Sequence, residues 1–275
     1  MRRIPKPGNC RSKEIREATQ QKVLRTYPHL LKFGLRVQRA AAHYDANRGN
    51  PLLIRPIAVS SEEKKQLHYI YEKPPKKLAY IAEMREKLAG ETCPMCGGQD
   101  PVSLDHFLPK GSHAEFSLLP YNLVPACSCN MQRGEVVADY ANSRRLLHPY
   151  YDDCLANQLY IVSFDPNAST PIFSVNILIP VSHNDYENVN FHIENVVLKT
   201  NIKAFLSKRW EKLKSFPDDM LIENRRHRDN ISVFRGYLMN LAGSKVRIEG
   251  ENAWESVFFR SIAEPVIASW IFMNT

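Results

Sequence analysis

The sequence predicts an α+β fold with N-terminal helices, a small metal-bound centre, a short sheet and a helical C-terminal part. Three observations predict it: two close cysteine pairs in a loop-rich segment, strand-like alternation after that segment, and helical periodicity at both ends. We expect three parts, which are a basic helical segment with its linker, a central domain, and an α/β to helical region suited to binding a partner. Their ranges are 1–59, 60–150 and 151–275.

The N-terminal part holds most of the positive charge. The 275-residue chain has a formal net charge of +8, and residues 1–50 carry twelve Lys and Arg against three acids, so the remainder is close to neutral. A basic arm on a neutral body suggests attraction to phosphate backbones, which does not depend on base sequence. A solvated helix face and a surface for an acidic protein partner are the alternatives.

Helical patterns and breaks organise residues 1–90. Residues 12–45 have a helical pattern that Pro28 interrupts, and residues 46–59 are an extended linker. Ser60 or Ser61 with Glu63 is a plausible N-cap for a helix through Glu72. A second helix, Lys76–Ala89, is expected to end at Gly90.

The region after residue 134 is predicted to hold three strands and then three helices. The predicted strands are Leu159–Phe164, Ile172–Ile179 and Val189–Leu198. The predicted helices are Ile202–Ser215, Pro217–Leu241 and Ala253–Phe272, with a kink at Pro265. The Arg225–Arg228 cluster is either a phosphate contact or a solvated helix face.

The composition, 44% hydrophobic and 24% charged, is typical of a soluble globular protein. No apolar run reaches the roughly 18 residues of a membrane span, and no apolar segment follows the basic N-terminus as in a secretory signal. We therefore expect a cytoplasmic protein with no membrane partner.

The six cysteines include two pairs that predict a structural zinc site. One pair is Cys93 and Cys96, in the sequence CPMCGG, and the other is Cys127 and Cys129, in CSC. Four thiolates make a closed tetrahedral site, and a loop-rich segment with few apolar residues needs such a crosslink. Scattered free cysteines are one alternative, and a redox dithiol is another, although the thioredoxin-like context that a dithiol requires is absent. Cys10 and Cys154 are expected to be free thiols.

Between the cysteine pairs lies the sequence LDHFLPK, which places Asp105 and His106 next to each other. An Asp–His pair alone is usually structural, but here Asn122 and Asn130 follow it inside the same segment. Phosphodiester hydrolysis needs a base that activates water and a cation that offsets charge on the leaving oxygen. Histidine suits the first task, and carboxylate and amide oxygens suit binding of Mg²⁺.

In order and spacing, these residues resemble the ββα-metal core of HNH endonucleases. The fuller stretches DHFLPK, EFS, NLVP and LHPYYD, which end at Asp152, look more narrowly like the PtuB-type HNH nucleases of Septu and retron-associated anti-phage systems. The wider resemblance covers about forty residues and the narrower one about sixty.

The resemblance implies a role for each matching residue. His106 would be the general base, Asp105 and Asn130 the ligands of a catalytic Mg²⁺ or Mn²⁺, and Asn122 the residue that orients the histidine. Arg133 and Lys110 would bind substrate, and Zn²⁺ would be structural.

The resemblance also implies a setting for the activity. The substrate would be DNA by default, with RNA such as tRNA as the alternative. The partners would be an ABC-type ATPase subunit of a defence complex and, in the retron case, a reverse transcriptase with its DNA. A non-catalytic zinc-knuckle protein that binds nucleic acid or a partner is the rival interpretation.

Two local features do not match the expectation. The second cysteine pair is one residue shorter than the family's usual Cys-x-x-Cys, so zinc would be bound with distorted geometry or by three cysteines and another donor. Adjacent strand residues point to opposite faces, so Asp105 and His106 can share one metal site only if the strand ends there.

His113 is expected to be a solvated loop residue, and His148 to form a structural hydrogen bond at a turn.

Overall fold

The computed structural model describes residues 1–88, 90–98, 100–168, 170–221 and 229–275. Its N-terminal part consists of helices α1 (Ser12–Thr19), α2 (Phe33–Ala46), α3 (Ser61–Glu72) and α4 (Tyr80–Glu86), with a 3₁₀ turn at Lys76–Leu78. The capping box that the sequence predicts is present, because the Ser60 side chain accepts from the Glu63 backbone and the Glu63 side chain accepts from Ser60. Pro28 lies between α1 and α2, which confirms the predicted break.

The centre of the molecule is a two-stranded antiparallel sheet followed by a short helix. Strand β1 (Ser103–His106) pairs with β2 (Leu123–Ala126), so that His106 lies opposite Leu123, and α5 (Cys129–Arg133) comes directly after β2. Two 3₁₀ turns, Ala114–Phe116 and Pro120–Asn122, lie in the connection between the strands. Because His106 is the last residue of β1, the strand ends at the point where the sequence required it to.

Two further strand pairs follow. Strands β3 (Ala138–Asp139) and β4 (Arg144–Arg145) form a short hairpin, and β5 (Tyr160–Ser163) pairs antiparallel with β6 (Ser174–Ile177). The second pair confirms two of the three predicted strands.

The C-terminal part is helical. Its elements are α6 (Tyr186–His192), a π-helical turn (Ile193–Val197), α7 (Ile202–Ser215), α8 (Pro217–Met220), α9 (Ile231–Glu249), α10 (Trp254–Ile262) and α11 (Pro265–Asn274). Helices α10 and α11 are bent by 74° at the predicted kink, where Pro265 starts α11. In the part of the chain that the structure describes, no single helix is long and apolar enough to cross a membrane, and only this bent pair meets that criterion jointly.

Three predicted elements are corrected. Val189–Leu198 is helical, not a strand, because Val189, Ile193, Val196 and Val197 recur at helical spacing and all are buried. Pro217–Leu241 is not one helix: α8 ends at Met220, and α9 begins after Asn230, whose side chain accepts from the Val233 amide. The Arg225–Arg228 cluster lies outside the described residues. Helix α4 ends at Glu86, four residues before Gly90, so Gly90 is not its cap.

Two clusters of buried apolar residues form the interior. The smaller one joins α1 and α2 to α3, α4 and the two central strands, and the larger one joins the cysteine segment to the C-terminal helices. Both clusters contain residues from more than one of the three predicted parts, and the division into those parts stays a prediction. The central sheet lies between the two clusters, since Leu104 and Leu123 belong to the smaller and Val124 to the larger.

Candidate metal centre and active-site cleft

The four paired cysteines converge on one point. Cys93 Sγ lies 3.7 Å from Cys129 Sγ, Cys96 Sγ lies 3.4 Å from Cys127 Sγ, and all four sulfurs are within 4.8 Å of one another. A tetrahedral zinc with Zn–S bonds of about 2.3 Å requires sulfurs about 3.8 Å apart, whereas a disulfide would need about 2 Å. The cluster therefore has the dimensions of a Cys₄ zinc site, and the short Cys127–Cys129 pair takes part in it.

Backbone amides and a tight turn shape the cysteine cluster. The Gly98 amide donates to Cys96 Sγ at 3.3 Å, and the Cys129 amide donates to Cys127 Sγ at 3.4 Å. Gly97 has a φ of 83° and lies so close to the Asn252 carbonyl that a Cβ would be 2.2 Å from it. Glycine is therefore required there. Hydrogen bonds among the thiols lower the pKa of Cys93 and raise the pKa values of Cys96 and Cys129, so that without a cation the four thiols do not all ionise together.

The C-terminal helices hold the cysteine cluster in place. The Trp254 indole donates to the Cys96 carbonyl at 2.9 Å, and the Trp254 amide donates to the Gly97 carbonyl at 2.9 Å. The buried His192 links the cluster to the LHPYYD segment, because it donates to the Met95 carbonyl and accepts from the Leu147 amide. The cluster is thus a junction between the central sheet and α10.

His106 is held in one orientation at the end of β1. Its Nε2 lies 2.9 Å from the Ser117 carbonyl oxygen, and its Nδ1 lies 3.6 Å from Asp105 Oδ1. A carbonyl oxygen only accepts, so Nε2 carries the proton and the neutral ring has its lone pair on Nδ1. The Tyr71 ring packs against the imidazole at 4.6 Å between centroids.

Asp105 and Asn130 lie beside this histidine. Burial by itself would raise the pKa of Asp105, but the neighbouring His106, whose backbone amide donates to Oδ1 at 2.7 Å, and the Asn130 side chain bring it down to about 2. Asp105 is therefore a carboxylate at neutral pH. It remains 35% exposed, and its carboxylate and the amide oxygen of the more buried Asn130 are oxygens of the kind that a hard cation binds.

Arg133 braces the strand end against α5. Its Nε donates to Asn130 Oδ1 at 2.5 Å, and its terminal nitrogens donate to the carbonyls of His106, Phe107 and Val136 at 2.8–2.9 Å. The side chain is only 4% exposed. Arg133 was expected to contact phosphate, yet the structure commits these donors to the protein itself. Lys110, by contrast, is 38% exposed at the edge of the cleft, 4.0 Å from Glu72.

Asn122 is buried and holds the loop that follows His106. Its amide oxygen accepts from the Leu108 amide at 2.7 Å, and its nitrogen donates to the carbonyls of Leu108 and Phe116. The Tyr44 hydroxyl donates to the same oxygen at 3.0 Å and accepts from His148 Nε2 at 2.9 Å. A continuous buried chain thus runs from the LHPYYD segment to the loop of residues 107–116.

His148 is a structural residue, as the sequence led us to expect. Its Nδ1 accepts from the Tyr150 amide at 3.2 Å, while Asp152 accepts from the His148 amide and forms two bonds to Arg145. Burial lowers the pKa of His148 to about 3. His113, expected to be solvated, is instead 4% exposed and packs beside Phe116.

An open cleft of about 290 Å³ brings most of these residues together. Its lining residues are His68, Asp105, His106, Pro109, Lys110, Gly111, Asn130, Arg133, Gly134 and Glu135. Asn122 lies behind it, and the cysteine cluster is separate from it, one residue before Asn130. No sequence pattern indicated His68, on α3, or Glu135. His68 lies on a helix with no motif around it. In the structure, burial lowers the pKa of His68, and the nearby Lys110 and His106 lower it further.

Comparisons with known proteins define no family. No family model matches the chain, and no solved structure matches it. The chain is 38% identical over 117 residues to Protein ea31 of Escherichia phage lambda, an alignment that covers 38% of this chain and 38% of the phage protein. The structure itself defines a mixed helical and small-sheet protein with a four-cysteine cluster that can hold zinc.

Proposed function

We propose that this protein is an HNH-type endonuclease, which hydrolyses phosphodiester bonds with a divalent cation, Mg²⁺ or Mn²⁺, in the cleft around His106. The observation that carries the proposal is the bond from His106 Nε2 to the Ser117 carbonyl. It leaves Nδ1 unprotonated beside Asp105, in the position that a general base for water requires.

Asp105 and Asn130 would hold the cation. Both offer hard oxygens, and Asn130 Oδ1 has a second lone pair besides the one that accepts from Arg133. The cation, when bound, offsets negative charge on the phosphate and on the leaving oxygen. The order of elements β1, β2, α5 supports this assignment, because α5 places Asn130 next to the end of β1.

The other steps of the reaction are carried out by side chains that line the cleft. His106 Nδ1 takes a proton from a water molecule whose oxygen bonds to phosphorus while the P–O bond to the leaving oxygen breaks, and the leaving oxygen takes up a proton from solvent. The Ser117 carbonyl and the Asp105 carboxylate stabilise the imidazolium that forms. Lys110 supplies a positive charge for a non-bridging phosphate oxygen. Asn122 holds the loop that follows His106, and Arg133 holds the end of β1 against α5. These bonds keep the His106 ring at a constant distance from the cation site.

The setting we propose is anti-phage defence in the manner of the PtuB-type nucleases. An ABC-type ATPase would control the cutting, with a retron reverse transcriptase and its DNA as further partners. DNA is the default substrate, and RNA such as tRNA is the alternative, because the cleft residues address the backbone and not base edges. Within the LHPYYD stretch, His148 reaches Asn122 through the buried Tyr44 hydroxyl.

The experiment is to incubate the purified chain, alone and with the products of neighbouring genes, with DNA and with total RNA in Mg²⁺ or Mn²⁺. We expect cleavage by the native chain and none by His106→Ala, with zinc content and circular dichroism unchanged. Absence of cleavage under all of these conditions would overturn the proposal. A His106→Ala chain that keeps full activity in cells, while cysteine variants lose it, would favour the non-catalytic zinc-knuckle protein.

A further inference from the structure

A second concave site lies on the N-terminal side of the molecule. Its volume is about 300 Å³, at the lower end of pockets that hold small molecules. We name it the arginine groove and define it by the residues that line it, which are Arg36, Arg39, Ala40, His43, Arg55, Ile57 and Phe116. Its floor is apolar, and three arginines and a histidine surround it.

Two of these arginines are available to a ligand. Arg36 is engaged, because it pairs with Glu63 at 3.0 Å and donates to the Ala58 carbonyl. Arg39 and Arg55 are exposed, and within the described residues neither forms an ion pair. Among the described residues that line the groove, none is acidic. Two positive charges at the edge of an apolar surface fit a ligand that combines anionic and flat apolar parts.

An exposed aromatic ring lies beside the groove. The Arg55 guanidinium is 5.8 Å from the centre of the Tyr140 ring, and Tyr140 is 53% exposed. Aromatic and arginine side chains together are the usual stacking surface for unpaired bases, since every base has a π face. An acidic peptide would need the charges but would not use the ring.

The arginine groove is connected to the His106 cleft through the backbone. Phe116, in the groove floor, directly precedes Ser117, whose carbonyl holds His106. The Ile57 amide donates to the Glu115 carboxylate, and Lys64 donates to the carbonyl of Gly111 at the cleft edge. The groove and the cleft are thus two sides of one loop, residues 109–117.

We propose that the arginine groove binds an unpaired nucleotide of the substrate, with phosphates at Arg39 and Arg55 and a base against Tyr140 and the apolar floor. The inference rests on the proposed nuclease function, and it assigns that function a substrate with a single-stranded stretch near the cut. Arg39 then gives part of the basic charge of residues 1–50 a specific use, which is to hold the substrate backbone beside the cleft.

The test measures binding, so that it does not depend on cleavage. The proteins are His106→Ala alone, His106→Ala with Arg39→Glu and Arg55→Glu, and His106→Ala with Lys203→Glu and Lys212→Glu. Both pairs change the net charge equally, and Lys203 and Lys212 are exposed on α7. The probes are a labelled oligothymidylate, a labelled oligouridylate and a labelled DNA duplex, titrated over a range of salt.

We expect the arginine pair to weaken single-strand binding by at least about tenfold and to reduce the slope of log K against log salt by about 1.4, since two phosphate contacts are lost. The lysine pair should change affinity by less than roughly twofold. If both charge-reversed pairs weaken single-strand binding equally, the groove is not the binding site. The same conclusion follows if the arginine pair loses as much affinity for the duplex as for the single strands.

The experiments distinguish a failure of the nucleotide-binding proposal from a failure of the nuclease proposal. If the native chain cuts nucleic acid and the two charge-reversed pairs bind alike, the groove is wrong while the nuclease stands. If the native chain never cuts but the arginine pair alone loses single-strand binding, the groove stands as a nucleic-acid site. Thermal melting of each variant checks that the fold is intact.

Discussion

The Nε2 atom of His106 donates to the carbonyl oxygen of Ser117 at 2.9 Å, and this bond sets the tautomer of the ring. Ser117 lies in the connection between β1 and β2, just after the 3₁₀ turn Ala114–Phe116. The same connection is held by Asn122, which bonds to Leu108 and Phe116. The orientation of the imidazole therefore depends on the folding of the whole connection and not on Asp105 alone.

The first prediction concerns this bond. His106→Gln keeps a side chain that can donate to the Ser117 carbonyl, but it has no basic nitrogen beside Asp105. We expect cleavage to fall by about 10²–10⁴-fold, the usual contribution of a general base, while the melting temperature and zinc content stay close to native. Single-turnover cleavage rates measure it. Near-native rates for His106→Gln would mean that another group activates the water.

The second prediction concerns the cysteine cluster. Metal analysis should find one zinc per chain, and Cys96→Ser should lose it, because four thiolates form the closed site. Since the cluster joins the central sheet to α10, loss of zinc should lower the melting temperature on the order of 10 °C. Cys10→Ser is the matched control, as Cys10 lies outside the cysteine cluster and its thiol donates to the nearby Ser12 hydroxyl. A native-like melt without zinc would show that the cluster is not a structural metal site.

The third prediction is that Lys110 contributes to nucleic-acid binding, whereas Arg133 contributes to stability. Lys110→Ala should weaken nucleic-acid binding and reduce the salt slope by about 1, with stability unchanged, because it removes one phosphate contact. Arg133→Lys should lower stability by about 1–3 kcal/mol, since a lysine cannot satisfy Asn130 and three carbonyls at once. Fluorescence titrations and urea unfolding of both variants check the two halves. The assignment fails if Arg133→Lys changes the salt slope and leaves the unfolding curve in place.

The sequence predicted those parts of the site whose residues are close together in the chain. The cysteine spacing predicted the Cys₄ cluster, whereas local patterns indicated only a loop-rich segment where the structure has β1, β2 and α5. The bond between Tyr44 and Asn122 joins residues 78 positions apart, and that between Tyr44 and His148 joins residues 104 positions apart. No spacing rule indicates such contacts. The prediction of a strand at Val189–Leu198 was also wrong, because β-branched residues buried on a helix face have the composition of a strand.

His68 was missed on similar grounds. A single histidine in an amphipathic helix has no sequence pattern to mark it, and only the packing of α3 against the central sheet brings it to the cleft. The expectation that Arg133 contacts phosphate came from the resemblance, which has a basic residue before Gly134. The burial of Arg133 depends on the position of α5 against the end of β1, which is a tertiary feature.

The last prediction concerns the pH dependence of stability that His148 confers. His148 is neutral in the folded state, where Nδ1 accepts from the Tyr150 amide and Nε2 donates to Tyr44, and its pKa is lowered by burial to about 3. The charged groups nearest to it are Asp152 and Arg145, which pair with each other. Above about pH 6.5 the ring is neutral in both the folded and unfolded states, so it adds no pH dependence.

Below about pH 6.5 the unfolded chain takes up a proton at His148 that the folded chain does not. The free energy of unfolding should therefore fall with pH by up to about 1.4 kcal/mol per unit from this residue, until the pH nears the folded pKa. Urea unfolding between pH 7 and pH 5, on the native chain and on His148→Gln, measures it. Other groups titrate in both proteins, so the difference between the two slopes isolates His148. Parallel curves would show that the ring is protonated in the folded protein and that the Tyr44–His148–Tyr150 bonds are not formed as described.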